Sequence, residues 1–127
     1  MLNGKKILIV EDEAILALDL AFAMEDLGAS VCGPYHRLTT ALDGADQPID
    51  GAILDVDLAG EQVFPLADTL RARNIPIVFH SGRQNPEELV GRYSGYDLIR
   101  ICPKPTAPQR VAEELSALLS LGEGRMH

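Results

Sequence analysis

Short apolar runs alternate with segments of helical periodicity along the chain, and this alternation restricts the fold more than any other feature. The apolar runs predict β-strands over residues 5–10, 30–33, 49–55, 75–80 and 97–102. The segments after them predict helices over residues 14–27, 37–45, 63–74 and 85–93, and from Thr106 to near residue 121. Strand–helix pairs in strict alternation form a parallel sheet with helices on both faces. A closed barrel needs eight such pairs, so these predict an open, doubly wound α/β sheet.

Local signals mark the starts of the last two predicted helices. Asn85 followed by Pro86 is typical of a helix start, and Gly91 weakens the short helix that follows. We therefore expect the fourth helix to be the loosest. Thr106 and Gln109 have the spacing of a capping box for the fifth.

Length and composition limit the class of protein. With 127 residues, the chain predicts one domain over residues 1–121 and a frayed tail over residues 122–127. Its net charge of −8 argues against direct binding of nucleic acid, because phosphate backbones need clustered Lys and Arg. No apolar run has membrane-spanning length, and acidic residues interrupt the amino-terminal run where a signal peptide would continue. Cys32 and Cys102 lack metal-ligand spacing and predict reduced core residues of a cytoplasmic protein.

Polar residues stand at the carboxyl ends of four predicted strands, the edge at which open α/β sheets bind ligands. They are Glu11 and Asp12, Asp55, Ser81 with Gly82, and Lys104. Three carboxylates at about 4 Å repel by roughly 1–4 kcal/mol per pair, so they need a counter-charge. Oxygen ligands with room for water and phosphate favour Mg²⁺ over Ca²⁺. Beside such an ion Asp55 can act as a nucleophile toward a phosphoryl group, whose oxygens Ser81 and Lys104 neutralise.

Four short motifs, "IVEDE", "ILDVDL", "FHSG" and "PKP", occur in the order and at the spacing found in response-regulator receiver domains of two-component signalling. The chain resembles this family over residues 5–121. The resemblance implies a flavodoxin-like, three-layer sandwich with strand order 2-1-3-4-5. It also implies a phosphoacceptor signalling switch rather than an enzyme with a separate substrate.

The resemblance gives each of the strand-end residues a role. Asp55 is implied to be the phosphoacceptor. The implied metal ligands are Asp55, Asp12, Glu11 through water, and the backbone carbonyl of Asp57. The implied phosphate contacts are Ser81, Lys104 and the backbone of Gly82.

The resemblance also implies the kinds of partner. A domain of this length is similar to stand-alone regulators, which act by binding another protein. We expect the phosphoryl group to come from a histidine kinase or a phosphotransfer protein. We expect a downstream protein to bind through residues 82–100 and the fifth strand, and a homodimer stays an open alternative. No membrane partner is expected.

Two positions depart from the family pattern. The stretch "VFHSGR" resembles a subgroup whose fourth strand ends in Phe-Ala-Thr-Gly, but His80 and Ser81 stand in place of Ala and Thr. Ile101 stands where many members carry an aromatic switch residue. Tyr93 or Tyr96 could substitute for that aromatic residue.

Two other classes of function stay open at this level. Asp55 and Asp57 after an apolar strand also match aspartate-dependent phosphohydrolases, in which Asp57 would be the general acid. Those enzymes usually need a longer chain and an acidic pair downstream, whereas here the pair lies upstream. The second alternative is a degenerate receiver that only binds a partner, although every residue type needed for phosphorylation is present.

The remaining reactive side chains are interpreted as structural or as flanking the site. His36, His80 and His127 have no second ligand at metal spacing, which favours a structural role. Asp57 and Arg83 lie on the loops after the third and fourth strands, where they could pair and restrict access of water to a phosphoryl group. An exposed pair of this kind contributes only about 0–1 kcal/mol.

Overall fold

Five parallel strands form the central sheet of the computed structural model, which describes residues 2–82 and 87–125. In chain order the elements are β1 (Lys6–Val10), α1 (Ala14–Asp26), β2 (Ser30–Tyr35), α2 (Leu38–Gly44), β3 (Gly51–Leu54), β4 (Asp57–Leu58), β5 (Glu61–Gln62), α3 (Phe64–Ala72), β6 (Ile77–Ser81), α4 (Glu87–Arg92), β7 (Ile99–Pro103) and α5 (Pro108–Arg125). The sheet order is β2-β1-β3-β6-β7. This confirms the predicted order 2-1-3-4-5 and the doubly wound, flavodoxin-like architecture.

Helices cover both faces of this sheet. Leu8 and Val10 of β1 point into a core shared with α2, α3 and α4. Ile7 and Ile9 point into a second core shared with α1 and α5. Because both faces are buried, the strands are nearly continuous apolar runs rather than alternating ones. Cys32 and Cys102 lie in these cores as buried free thiols, as predicted.

The strand register aligns the carboxyl ends of the strands. The residues paired across β1, β3, β6 and β7 are Val10, Leu54, Phe79 and Ile101. The residues that follow them are Glu11, Asp55, His80 and Cys102. Since side chains alternate along a strand, these four lie in one row on the α1/α5 face. Two acidic side chains therefore come together without any local sequence contact between them.

A small antiparallel hairpin, β4 with β5, was not predicted. Asp57 pairs with Gln62 and Leu58 with Glu61, and the turn contains Ala59 at φ 49° and Gly60 at φ 91°. Strands of two residues are too short to produce a recognisable alternation. The hairpin occupies the connection that leaves Asp55.

Both ends of the last helix differ from the prediction. The capping box of Thr106 and Gln109 is wrong, because Pro108 takes the first helical position and Val111 donates its N–H to the Ala107 carbonyl. The Thr106 hydroxyl instead donates to the backbone carbonyl of Pro103.

Helix α5 also continues to Arg125, beyond the predicted end near residue 121. Gly122 lies against Leu98 and Pro76, and Glu123 forms an ion pair with Lys5 at 2.6 Å. These contacts hold residues 122 and 123 in place, although the sequence predicted a frayed tail over residues 122–127. The predicted start of the fourth helix at Asn85 and Pro86 lies outside the described residues. Within residues 2–82 and 87–125, no helix combines the length and the apolar character needed to cross a bilayer.

Candidate functional site

Three carboxylates and one ammonium group meet at the carboxyl edge of the sheet. Glu11, Asp12 and Asp55 each place a carboxylate oxygen within 4.8 Å of the other two. Lys104, which follows β7, places its Nζ 2.9 Å from Glu11 Oε1 and 3.1 Å from Asp55 Oδ2. The structure thus brings together four of the residues that the sequence predicted to share a site.

Backbone N–H groups orient each carboxylate. The bonds run from Glu13 N–H to Glu11 Oε2 (3.1 Å), from Ala59 N–H to Asp12 Oδ2 (3.1 Å) and from Asp57 N–H to Asp55 Oδ1 (3.3 Å). Ala59 lies in the turn between β4 and β5, so the unpredicted hairpin brings a donor to Asp12. Such bonds favour the ionised form of a carboxylate and hold it in one orientation.

Burial opposes the ionisation of this cluster. Glu11 is 1% exposed, and burial raises its pKa to about 7, although Lys104 and the Glu13 N–H act in the opposite direction. Burial also raises the pKa of Asp55, against the effects of Glu11 and Lys104. Burial would lower the pKa of Lys104, but its hydrogen bonds to Glu11 and Asp55 outweigh this effect and the pKa is raised. One ammonium group does not balance three carboxylates.

A hard divalent cation suits this group of donors. Within the part of the chain that the structure describes, the cluster contains carboxylates only, without histidine or cysteine. Oxygen-only donors favour ions of the magnesium and calcium type. A bound cation would also favour the ionised forms of Glu11 and Asp55, whose burial otherwise favours protonation.

Ser81 and Gly82 lie at the same edge as Lys104. Ser81 is 4% exposed, and its backbone carbonyl accepts a hydrogen bond from the Lys104 N–H at 2.8 Å. Gly82 is exposed, and a Cβ built on it would lie 3.9 Å from Lys104 Cδ. The ends of β6 and β7 are therefore joined directly beside the acidic cluster.

Asp57 is placed near the site through its backbone. Its N–H contacts Asp55, and the residue is exposed on β4. The metal-binding role of its carbonyl stays a prediction. Arg83 lies outside the described residues, so its pairing with Asp57 is untested.

His80 is a buried neighbour of the cluster that the sequence interpretation treated only as structural. It follows the Leu54–Phe79 pair in register, so it stands beside Asp55 on the neighbouring strand. The residue is 1% exposed, and neither ring nitrogen has a hydrogen-bond partner among the described residues. Burial lowers its pKa to about 4, and the charge of Lys104 acts in the same direction. His80 is therefore a neutral imidazole beside a charged site.

His36 supports the site from the loop after β2. Its Nδ1 lies 2.8 Å from the backbone carbonyl oxygen of Glu11. Since a carbonyl oxygen only accepts, Nδ1 carries the proton and donates it. This contact is consistent with the structural role predicted for His36. His127 lies outside the described residues.

Helix α1, which begins just after Asp12, carries an exposed apolar face. Ile15, Leu18 and Phe22 are 80%, 50% and 54% exposed, and their spacing puts them on one side of the helix. The charged residues of α1 are all acidic: Asp19, Glu25 and Asp26. A contiguous exposed apolar surface with a polar rim is typical of a protein-binding face.

Solved structures that are similar to this chain include receiver domains of response regulators. A response regulator receiver protein from Sinorhizobium medicae WSM419 is 27% identical, with a TM-score of 0.81, covering 96% of this chain and 99% of that one. SdrG from Sphingomonas melonis Fr1 is 38% identical, with a TM-score of 0.74 and coverage of 91% and 96%. A CheY-like receiver domain from Methanospirillum hungatei JF-1 is 20% identical at a TM-score of 0.82, covering 95% and 98%, and supports the fold. No protein-family model matches the chain, and no curated protein matches it.

The buried neutral His80 predicts a specific acid sensitivity of the fold. In the unfolded chain an imidazole takes up a proton below its ordinary pKa near 6.5, whereas in the folded protein it does so only near 4. His80 should therefore lower the folding stability by roughly 3 kcal/mol as the pH drops from 6.5 toward 4, whereas the raised pKa of Glu11 acts in the opposite direction. Replacing the imidazole in His80→Leu should remove that loss.

Urea denaturation at several pH values without divalent ions measures this effect. The control is Val78→Ala, which changes another buried side chain of β6 but removes no titratable group, so its profile should run parallel to that of the wild type. Parallel stability profiles for wild type and His80→Leu would show that the imidazole is not held neutral.

Proposed function

Because the chain belongs to the response-regulator receiver domains, we propose that it is a signalling switch in which Asp55 accepts a phosphoryl group from a histidine kinase or a phosphotransfer protein. The observation that carries this proposal is the contact of Asp55 Oδ2 with Lys104 Nζ at 3.1 Å, inside a cluster of three carboxylates. This arrangement presents a nucleophile and a cation together at the open edge of the sheet.

The transfer step uses a carboxylate oxygen of Asp55 as the nucleophile. As the new O–P bond forms, the bond between phosphorus and the donor nitrogen breaks, and the donor imidazole leaves as a neutral group after taking a proton from solvent. The Asp57 N–H holds one oxygen of Asp55, which leaves the other directed by Lys104. Lys104 then keeps its ammonium group close to the transferred phosphoryl oxygens.

Mg²⁺ is the cofactor that we propose for this cluster. Glu11, Asp12, Asp55 and the backbone carbonyl of Asp57 would hold it, Glu11 through water. When bound, the ion neutralises the negative charge that builds up on the phosphoryl oxygens. The ionised state of Asp12 suits this role, because hydrogen bonds to Glu11 and to the Ala59 N–H outweigh the effect of burial and lower its pKa.

Ser81 and Gly82 would complete the phosphate contacts. Ser81 has a hydroxyl at the end of β6, and Gly82 has no side chain to cover its backbone N–H. The backbone hydrogen bond from Lys104 to Ser81 supports a concerted adjustment of the β6 and β7 ends around a phosphoryl group.

The exposed face of α1 is the surface that we propose for the phosphoryl donor. It starts beside Asp12, so a protein docked there is close to Asp55. The acidic rim of this face favours a donor whose apolar patch is bordered by Lys and Arg. We place the downstream partner on residues 82–100 and on β7; helix α4 of this segment lies in the layer opposite α1.

The phosphohydrolase alternative receives less support. The contact between Asp57 and Asp55 runs through the Asp57 backbone N–H, whereas a general acid acts through its carboxyl group. A turnover assay on a generic phosphate ester separates the two, because the proposed switch should show no multiple turnover.

Phosphorylation by acetyl phosphate tests the acceptor. With Mg²⁺ present, intact mass spectrometry should show one added phosphoryl group on the wild type and none on Asp55→Asn. The control Asp57→Asn keeps its backbone groups and should still gain the phosphoryl mass. An added phosphoryl group on Asp55→Asn would exclude Asp55 as the sole acceptor.

Thermal melts test the cation site. Mg²⁺ should raise the melting temperature of the wild type, since a ligand at 100 times its Kd stabilises the folded state by about 2.7 kcal/mol. The gain should shrink strongly in Asp12→Ala, which removes a proposed ligand. It should persist in Asp19→Ala, which removes an acidic group of α1 outside the cluster. An equal gain in Asp12→Ala would rule out this site.

The docking face is tested by phosphoryl transfer. The donor is a phosphorylated histidine-phosphotransfer protein that labels the wild type. Leu18→Asp should slow this transfer by about 5- to 10-fold, the range expected when a contributing apolar contact is lost. Its labelling by acetyl phosphate should not change, because the cluster is intact. Val90→Asp, on α4 and also exposed, is the control. Equal slowing by both variants would argue against docking on α1.

A further inference from the structure

We propose that Asp68 on α3 forms a latch with Tyr93 and Arg92 at the end of α4, and that this latch couples the phosphorylation of Asp55 to the position of α4. The inference rests on the proposed function. It makes Asp68 and Tyr93 positioning residues that act at a distance from the acceptor.

The latch is a set of contacts made by a single carboxylate. The Tyr93 hydroxyl donates to Asp68 Oδ1 at 3.0 Å, and Arg92 Nη2 donates to Asp68 Oδ2 at 3.1 Å. The Arg92 guanidinium also lies over the Phe64 ring, 4.2 Å from its centroid. Two consecutive residues of one helix end are therefore attached to α3.

The Tyr93 bond is the stronger part of this latch. Arg92 and Asp68 are about half exposed, and an ion pair of that kind contributes little. Tyr93 is 2% exposed, so a lost hydrogen bond leaves a phenol without a partner in the core. Burial and Asp68 raise the pKa of Tyr93 to about 12, which keeps the hydroxyl protonated as a donor at neutral pH.

Tyr93 connects the latch to the strand that ends at the site. Its ring centroid lies 5.4 Å from that of Phe79, which is fully buried in β6. Phe79 stands two residues before Ser81, so both side chains lie on the same face of the sheet. Because packed interiors deform little, a shift of the β6 end toward a phosphoryl group presses on Tyr93.

Helix α4 buries little of its surface. It has six residues, and Leu89 is its only buried side chain among those described. Val90 is 61% exposed, and a Cβ built on Gly91 would meet no atom within 4 Å. Elements with few buried contacts open at low cost, so the latch is a major part of the attachment of α4.

The latch is present in the conformation in which Asp55 is unphosphorylated and its carboxylate pairs with Lys104. In that conformation Ile101 of β7 packs against the same core as Tyr93, but its side chain forms no hydrogen bond. We therefore assign to Tyr93, directly after α4, the switching role that an aromatic residue at position 101 has in many family members. If the latch favours this conformation, weakening it raises the affinity for a phosphoryl analogue.

Beryllofluoride with Mg²⁺ is the probe, and amide NMR titration of the full chain measures its affinity. We expect Tyr93→Phe and Asp68→Ala each to bind it about 2- to 10-fold more tightly than the wild type, the size of one net hydrogen bond. Amide exchange in residues 87–93 should accelerate in both variants. The double variant should gain less than the sum of the two logarithmic effects, because Tyr93→Phe and Asp68→Ala both break the hydrogen bond between Tyr93 and Asp68.

Two matched controls separate the latch from general effects. Tyr96→Phe removes a nearby tyrosine hydroxyl that donates to the Ile75 carbonyl rather than to Asp68. Asp43→Ala makes the same substitution on α2, at an exposed position. Both should bind the probe as the wild type does. Unchanged or weaker binding by both latch variants would overturn the latch, whereas a wild type that binds no beryllofluoride would overturn the proposed function instead.

Discussion

The ammonium group of Lys104 is the interaction on which the functional edge of the protein depends. It lies within 3.1 Å of two buried carboxylates, Glu11 and Asp55, which come from different strands. Buried carboxylates without a cation become protonated, and a protonated Asp55 would be a poor nucleophile. Lys104 only partly offsets the charge, so the cluster remains receptive to a second cation. In the proposed function, the same imbalance favours both the binding of Mg²⁺ and the acceptance of a phosphoryl group.

The two faces of the sheet are suited to different tasks. Helix α1 lies in the layer with α5, and its exposed apolar face begins at the acidic cluster. Helix α4 lies in the other layer, where Leu89 and Tyr93 join the core and Asp68 bonds the Tyr93 hydroxyl. A donor bound to α1 would therefore leave α4 accessible. The sheet between them is buried on both faces, and packed interiors deform little, so a shift at its carboxyl edge is passed to the helices packed on it.

His80 is the unusual component of this edge. A buried imidazole without hydrogen-bond partners among the described residues is costly, and it stands in the same row as Asp55. Its neutrality prevents a second positive charge from competing with Lys104 for the carboxylates. Along this edge, charged side chains follow β1, β3 and β7, and a neutral one ends β6 between β3 and β7.

The amino-acid sequence determined the parts of this protein that follow local rules. Alternating apolar runs and helical segments predicted the doubly wound sheet, because each run shows locally which side chains must be buried. The meeting of Glu11, Asp12, Asp55 and Lys104 followed, since parallel strands direct their carboxyl ends to one edge. Tertiary structure alone decided contacts between distant segments. The hairpin that brings the Ala59 N–H to Asp12 has strands of two residues, too short to leave a periodic signal. Asp68 and Tyr93 are 25 residues apart, and the row of Asp55 and His80 depends on the strand register. Such contacts depend on pairing and packing across the whole chain, which no local pattern encodes.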